Sequence, residues 1–249
     1  MIQVQKRSSF DWLLILLTLL LLGLGVLLIQ SATASVTLSG TPLRDVPVVR
    51  QAVFAVVGLC VLTVTGLVNY RLWGVLRWPL YVGMVGLLAL IALAGRVRFG
   101  AQSWFDLDLF LLQPSELSKI VLIIVLARYL ADHQEAIRRG DGLVVSFALS
   151  LPFLGLVYVQ PDMGTAAVLL AIWLGMLFTA GLRLKHVVLI ALMALVLAPL
   201  IWGLMQSHQR ERILMFLHPN TDPLGRDYNV NQALIAVGSG GLWGKGLGQ

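Results

Sequence analysis

Glu116 and Lys119 are two charged side chains inside a long apolar segment. They stand three residues apart, so they share one face of a helix that begins near Pro114. A charged group near the centre of a bilayer costs roughly 2.5–3.5 kcal/mol on insertion scales, so such groups are usually paired and functional. Two interpretations stay open: a functional pair in a polar cavity, or the charged first turn of a helix at the membrane interface.

Asp162 lies in the segment 160–165 (QPDMGT), which joins two apolar segments with almost no loop. Its side chain is expected to cap the helix that follows, by accepting a hydrogen bond from the backbone amide of Gly164 or Thr165. A second interpretation is a functional carboxylate held at the outer face of the membrane by a tight turn. The two interpretations are compatible with each other.

The region 206–249 is different in kind, because it combines basic residues with a glycine-rich stretch. Arg210, Arg212 and Lys245 are its candidate phosphate-binding residues. The guanidinium fork matches phosphate oxygens, and lysine supplies a point charge. We therefore expect this region to bind a phosphorylated substrate, and the alternative is an ordinary polar loop.

The amino-acid composition indicates the class of protein to which these residues belong. The 249 residues are 58% hydrophobic and 12% charged, and their mean hydropathy is +0.88. A typical soluble domain is about 25% charged, so the composition excludes a soluble enzyme, a disordered tail and a coiled coil. The single cysteine, Cys60, excludes a disulfide framework and a cysteine-based metal site. The net charge is +6, and the basic residues lie mostly between the apolar segments. In that position they indicate membrane topology and contact with membrane lipids, so no nucleic-acid partner is expected.

Seven segments approach the roughly 20 apolar residues that a helix needs to cross a bilayer. They predict an all-α fold, a polytopic transmembrane helical bundle over residues 1–205, followed by an incomplete extracytoplasmic loop region over 206–249. The first segment resembles a signal peptide, but its apolar run is longer than the apolar region of about 7–15 residues that is usual in signal peptides. An uncleaved helix is therefore expected. The predicted spans lie near 12–29, 52–68, 78–94, 115–131, 143–159, 164–181 and 187–205.

The basic residues predict the orientation of these spans. If the N-terminus is cytoplasmic, the cytoplasmic segments hold nine Lys or Arg in about 40 residues, and the opposite side holds eight in roughly twice that length. This density difference favours a cytoplasmic N-terminus and an extracytoplasmic position for residues 206–249.

Four motifs, in this order along the chain, resemble the SEDS family (shape, elongation, division and sporulation). They lie at residues 100–104 (GAQSW), at 113–116 (QPSE) with Lys119, at 160–165, and at 210–248. The residues Tyr228, Asn229 and Gln232, with 244–246 (GKG), look closer to the RodA branch than to the FtsW branch. Ser103 departs from the family, whose members usually have an arginine there, and Arg96 or Arg98 is a candidate to replace that charge.

The resemblance implies a bacterial inner-membrane glycosyltransferase that polymerises lipid II, an undecaprenyl-pyrophosphate-linked substrate, into peptidoglycan glycan strands during cell elongation. It implies a class B penicillin-binding protein and the elongation complex as partners. The family's catalytic acidic residue is expected beyond Gln249. The chain is therefore expected to be an N-terminal portion of a longer protein and to be inactive alone.

The resemblance also implies roles for the residues above. Glu116 and Lys119 would form a buried pair that supports a functional cavity, and Asp162 would support the extracellular loops. The three phosphate-binding candidates would stabilise the departing pyrophosphate. The sequence demands no cofactor and offers no metal-ligand cluster, although a divalent cation (Mg or Mn) could share the charge stabilisation.

Two alternative functions stay open. A lipid-linked precursor flippase would also need a polar cavity inside a helical bundle. Transporters often show inverted repeats, and this sequence shows no clear repeat. A non-catalytic membrane scaffold of the cell-wall synthase complex would need only apolar helix faces, which every span has.

Overall fold

The computed structural model describes residues 11–33, 46–94, 96–98, 101–106, 111–205, 207–217, 228–241, 243–244 and 246. These residues form eleven α-helices and three short β-strands. The helices are α1 (Trp12–Thr33), α2 (Pro47–Leu67), α3 (Tyr70–Val75), α4 (Arg77–Ala94), α5 (Pro114–Asp132), α6 (Gln134–Arg139), α7 (Asp141–Val159), α8 (Met163–Thr179), α9 (Leu184–Leu204), α10 (Ser207–Leu217) and α11 (Tyr228–Gly240). The strands are β1 (Arg96–Arg98), β2 (Ala101–Asp106) and β3 (Leu111–Leu112).

Each of the seven predicted spans corresponds to a helix, so the predicted all-α, multi-pass fold is confirmed. Among the described residues, α1, α2, α7 and α9 are long and apolar enough to cross a membrane, and α4 and α8 are shorter apolar helices. Helix α5 has the same length as α7, 19 residues. Unlike α7, it carries four charged residues, Glu116, Lys119, Arg128 and Asp132.

A small antiparallel sheet, which the apolar pattern of the sequence does not predict, lies between α4 and α5. Its strand order is β1-β2-β3, with Arg96 opposite Trp104 and Phe105 opposite Leu112. Strands of two to six residues are shorter than the window over which periodicity can be read. The sheet contains most of the motif at 100–104.

Two helices, α10 and α11, lie in the region 206–249 that was expected to be a loop. Helix α10 is polar, and α11 is only 13 residues long. Neither belongs to the described helices that are long and apolar enough to cross a membrane. The region is therefore partly helical, and its extracytoplasmic position stays a prediction.

The chain divides into two compact units. In one, α1 and α2 pack against each other; the other comprises residues 69–217. In this second unit, α4, α5, α7 and α8 surround a core whose fully buried side chains include Leu88, Leu122, Phe153 and Leu169. Because lipid is as apolar as leucine, close packing and interhelical hydrogen bonds hold such helices together in a membrane.

Hydrogen bonds between helices supplement this packing. The indole Nε1 of Trp173 in α8 donates to Ser146 Oγ in α7 at 3.1 Å. The Tyr81 hydroxyl in α4 donates to the Leu149 carbonyl of α7 at 3.1 Å. These bonds join α7 to α8 and to α4.

Candidate functional site

Asp162 lies at the centre of a polar cluster that joins the first turns of α5 and α8. Its Oδ2 accepts hydrogen bonds from Gln113 Nε2 and Thr165 Oγ1, both at 2.8 Å, and from Ser115 Oγ at 3.4 Å. Its Oδ1 accepts a hydrogen bond from the Thr165 backbone amide at 3.1 Å. We name these four residues the Asp162 cluster.

The local sequence explains why both helices begin at this cluster. Asp162 is the N-cap of α8, so the predicted cap is confirmed, with Thr165 as the donor. Helix α5 begins with Pro114, which has no amide hydrogen to lose at a first helical position. The negative charge of Asp162 also complements the positive end of the α8 dipole.

The arrangement supports a positioning role for Asp162. An ionised carboxylate offers about four lone-pair sites, and four donor contacts already surround this one. Ser115 and Thr165 are buried, and Gln113 and Asp162 are half-buried. The cluster therefore joins two helix starts that lie far apart in the sequence.

Glu116 and Lys119 form the predicted pair but are not buried within this chain. Lys119 Nζ lies 2.7 Å from Glu116 Oε2, and the side chains of Lys119 and Glu116 are 23% and 55% exposed. An exposed pair at this spacing stabilises a helix by about 0.2–0.5 kcal/mol. The geometry favours the charged first turn of a helix, and the functional role of the pair stays a prediction.

Of the three phosphate-binding candidates, Arg210 alone has a described side chain. Its Nη2 donates to the Gly203 carbonyl at the end of α9, at 2.7 Å. The side chain of Arg212 and all of Lys245 lie outside the described residues. Their proximity to Arg210 stays a prediction.

The described residues contain no group of three or more His, Cys, Asp or Glu side chains that could hold a metal ion. The divalent cation that the resemblance allows stays a prediction, and we derive no step through one.

Gln113, Ser115 and Gln160 are motif residues to which the sequence alone assigned no structural role. Gln113 donates to Asp162, and the buried Gln160 donates from Nε2 to the Leu88 carbonyl of α4 at 2.9 Å. The signal that could have found both glutamines is the repeated Gln-Pro pair, at 113–114 and 160–161.

The family model for FtsW, RodA and SpoVE, described as cell cycle proteins, matches residues 11–249. The chain belongs to this family. The resemblance predicted from the four motifs is thereby confirmed, and the Asp162 cluster brings two of those motifs into contact.

Curated family members align along nearly the whole chain. Stage V sporulation protein E of Bacillus subtilis is 36% identical over 98% of the chain and 67% of its own length. The peptidoglycan glycosyltransferase MrdB of Escherichia coli is 32% identical over 97% of the chain and 64% of its own length. The chain thus spans about two thirds of the length of these relatives.

A solved family structure has the same fold. A chain in a peptidoglycan synthase complex, described as coordinating polymerization and crosslinking, is 35% identical. It aligns with a TM-score of 0.76 over 94% of this chain and 67% of its own length. The helical architecture is therefore shared with a chain solved as part of that complex.

Proposed function

We propose that the protein carrying this sequence is a peptidoglycan glycosyltransferase that polymerises lipid II into glycan strands. The observation that carries the proposal is the family match over residues 11–249. The name of the Escherichia coli relative, a peptidoglycan glycosyltransferase, supports the reaction class. The motifs at 228–232 and 244–246 support a role in elongation rather than division.

Among the described residues, Arg210 is the one best suited to bind the leaving pyrophosphate. Glycosyl transfer from lipid II needs positive charge where the pyrophosphate departs. Arg210 makes one hydrogen bond among the described residues, to Gly203, which holds its side chain at the junction of α9 and α10. Its remaining Nη N–H groups can then serve phosphate oxygens, whereas its Nε is buried. We assign Arg212 and Lys245 to the same task.

The Asp162 cluster would keep the starts of α5 and α8 in place beside this reaction, and Glu116 and Lys119 would supply polar groups near it. The proposed partner is a class B penicillin-binding protein of the elongation complex. The likeness to a chain of a solved peptidoglycan synthase complex supports this choice.

The proposed reaction requires residues 206–249 to face the outside of the cytoplasmic membrane. A Cys60→Ala background that carries Ser207→Cys or Arg139→Cys tests this orientation. We expect an impermeant thiol reagent to label position 207 in intact cells and position 139 only after permeabilisation. The reverse pattern would contradict the proposed orientation and the use of extracytoplasmic lipid II.

Polymerisation itself is tested with the full-length protein and its penicillin-binding partner in detergent, where there are no two membrane sides. We expect lipid II to be converted into glycan strands. Arg210→Ala and Arg212→Ala should slow this conversion by up to about 100- to 1000-fold, the effect of removing one pre-organised stabilising contact.

Arg139→Ala is the matched control, because it removes a guanidinium that is exposed on α6. Its rate should stay close to that of the unsubstituted protein. Absence of polymerisation together with lipid II translocation in vesicles would favour the flippase. Absence of both would favour the scaffold.

A further inference from the structure

The second unit has one strongly basic end. The contact between Gln113 and Asp162 places the starts of α5 and α8 together, so the α5–α7 connection and the α8–α9 turn lie at the opposite end. The side chain of Arg128 lies 4.0 Å from the Cβ position of Gly74, which brings α3 to that same end. The segments 69–78, 127–142 and 179–187 that form it contain seven Lys or Arg and three Asp or Glu.

Two turns pack against each other at this basic end. Gly140 and Gly181 have φ values of 104° and 88°, where a side chain is strained. A Cβ at Gly140 would lie 2.7 Å from Nε2 of His186 in α9, and a Cβ at Gly181 would lie 3.5 Å from Nε of Arg138. The residues after Gly181 therefore lie beside the α6–α7 turn.

Three cations of these turns, Arg138, Arg183 and Lys185, are exposed and have no ion pair among the described residues. Two of the three acidic residues at this end are already close to other arginines. Asp132 pairs with Arg128 at 2.9 Å, and Asp141 lies 3.9 Å from Arg139.

A polar atom beside these cations also lacks a partner. His186 is 9% exposed, and its Nδ1 has no hydrogen-bond partner within the described part of the chain. A buried polar atom without a partner costs about 1–3 kcal/mol, which an additional donor or acceptor would offset.

Apolar side chains flank the same cations. Phe178, near the end of α8, is 73% exposed, and Leu184, between Arg183 and Lys185, is 76% exposed. A free phosphate ion would gain nothing from these two side chains. A phospholipid would place its headgroup phosphate among the cations and its acyl chains along the apolar residues.

We propose that the two packed turns bind the headgroup of an acidic phospholipid through Arg138, Arg183 and Lys185. Helices α7 and α9, which follow the two turns, are long and apolar enough to cross a membrane, which would place the cations at the depth of lipid headgroups. Guanidinium groups from two different turns can each bind phosphate oxygens. A bound headgroup would link the start of α9 to the α6–α7 turn. This proposal does not depend on glycosyl transfer.

The test titrates phosphatidylglycerol onto the purified full-length protein and counts bound lipids by native mass spectrometry. Phosphatidylcholine and inorganic phosphate serve as separate probes. We expect the triple variant Arg138→Gln/Arg183→Gln/Lys185→Gln to bind phosphatidylglycerol at least roughly tenfold more weakly than the unsubstituted protein. Phosphatidylcholine should bind weakly to both proteins, and inorganic phosphate should not displace phosphatidylglycerol.

The matched control is Arg71→Gln/Arg128→Gln/Arg139→Gln, which removes the same charge from the same end but outside the proposed site. It should keep the affinity of the unsubstituted protein within about twofold. An equal loss in both variants would show a diffuse electrostatic field and overturn the proposal. So would unchanged affinity in the first variant, equal binding of phosphatidylcholine, or displacement by inorganic phosphate.

If the triple variant does not fold, the single variants Arg183→Gln and Lys185→Gln replace it. Both side chains are exposed and have no ion pair among the described residues, so folding should tolerate their loss. Each substitution should weaken phosphatidylglycerol binding about fivefold. Unchanged affinity in both would contradict the proposal.

Discussion

The hydrogen bond between Gln113 and Asp162 can be tested by reversing its charge pattern. Gln113→Glu replaces the amide donor with a second carboxylate in contact with Asp162 Oδ2, which lies 2.8 Å from Gln113 Nε2. Asp162→Asn removes the charge but keeps an oxygen that can cap Thr165. The double variant exchanges the two groups, so that an amide again faces a carboxylate.

The expected magnitudes follow from the contact and its half-exposed setting. A hydrogen bond to a charged acceptor is worth about 1.5–3 kcal/mol. Two carboxylates in contact repel by about 2–3 kcal/mol when the effective dielectric lies between its surface and bulk-water values. Since the two side chains can move apart, we expect Gln113→Glu to lower the free energy of unfolding by about 3 kcal/mol. The double variant should recover about 2 kcal/mol of this loss.

The assay is thermal unfolding of the full-length protein in detergent, followed by tryptophan fluorescence. A loss of 3 kcal/mol corresponds to a fall in melting temperature of about 6–12 °C for a domain of this size. Strictly additive effects of the two substitutions would refute the reasoning, since residues in direct contact should couple.

Three further predictions use the same assay. Gly140→Ala should lower the free energy of unfolding by about 2–4 kcal/mol, because the residue has a φ of 104° and its Cβ would lie 2.7 Å from a histidine ring. Gly155→Ala is its control: the space around the new Cβ is open, so the free energy of unfolding should stay unchanged or rise by up to about 1 kcal/mol. Ser146→Ala should cost about 1–3 kcal/mol, because it leaves a buried indole N–H without its acceptor, and an unchanged melting temperature would contradict this bond. Glu116→Gln and Lys119→Gln should each change the free energy of unfolding by less than about 0.5 kcal/mol, and a larger effect would indicate burial that the exposed fractions do not show.

The sequence predicts the helices well because a membrane span is a local signal. An apolar run of sufficient length must pair its backbone groups within itself, so each of the seven runs corresponds to a helix. The strands of the small sheet depend instead on pairing between short segments, as between Arg96 and Trp104. Such pairing leaves no clear pattern within two to six residues.

The candidate site could be predicted only in its local part. The cap of α8 joins Asp162 to Thr165, three residues away, and turn chemistry suffices to predict it. The contact with Gln113 spans 49 positions and depends on how α5, α7 and α8 pack. The exposure of Glu116 was also beyond prediction, because helical spacing places it with Lys119 without showing which face packs into the bundle.

The bond between Gln113 and Asp162 also sets an order of events during biosynthesis. Its two residues are 49 positions apart, so the start of α5 leaves the ribosome before its partner has been synthesised. At about 5–20 residues per second, the delay is roughly 2–10 seconds. During that interval α5, with its four charged residues, lacks its contact with α8. The packing of α5 against α4 does not wait for α8, but its hydrogen bond with Asp162 does, so a stalled nascent chain that ends before Asp162 would lack this bond.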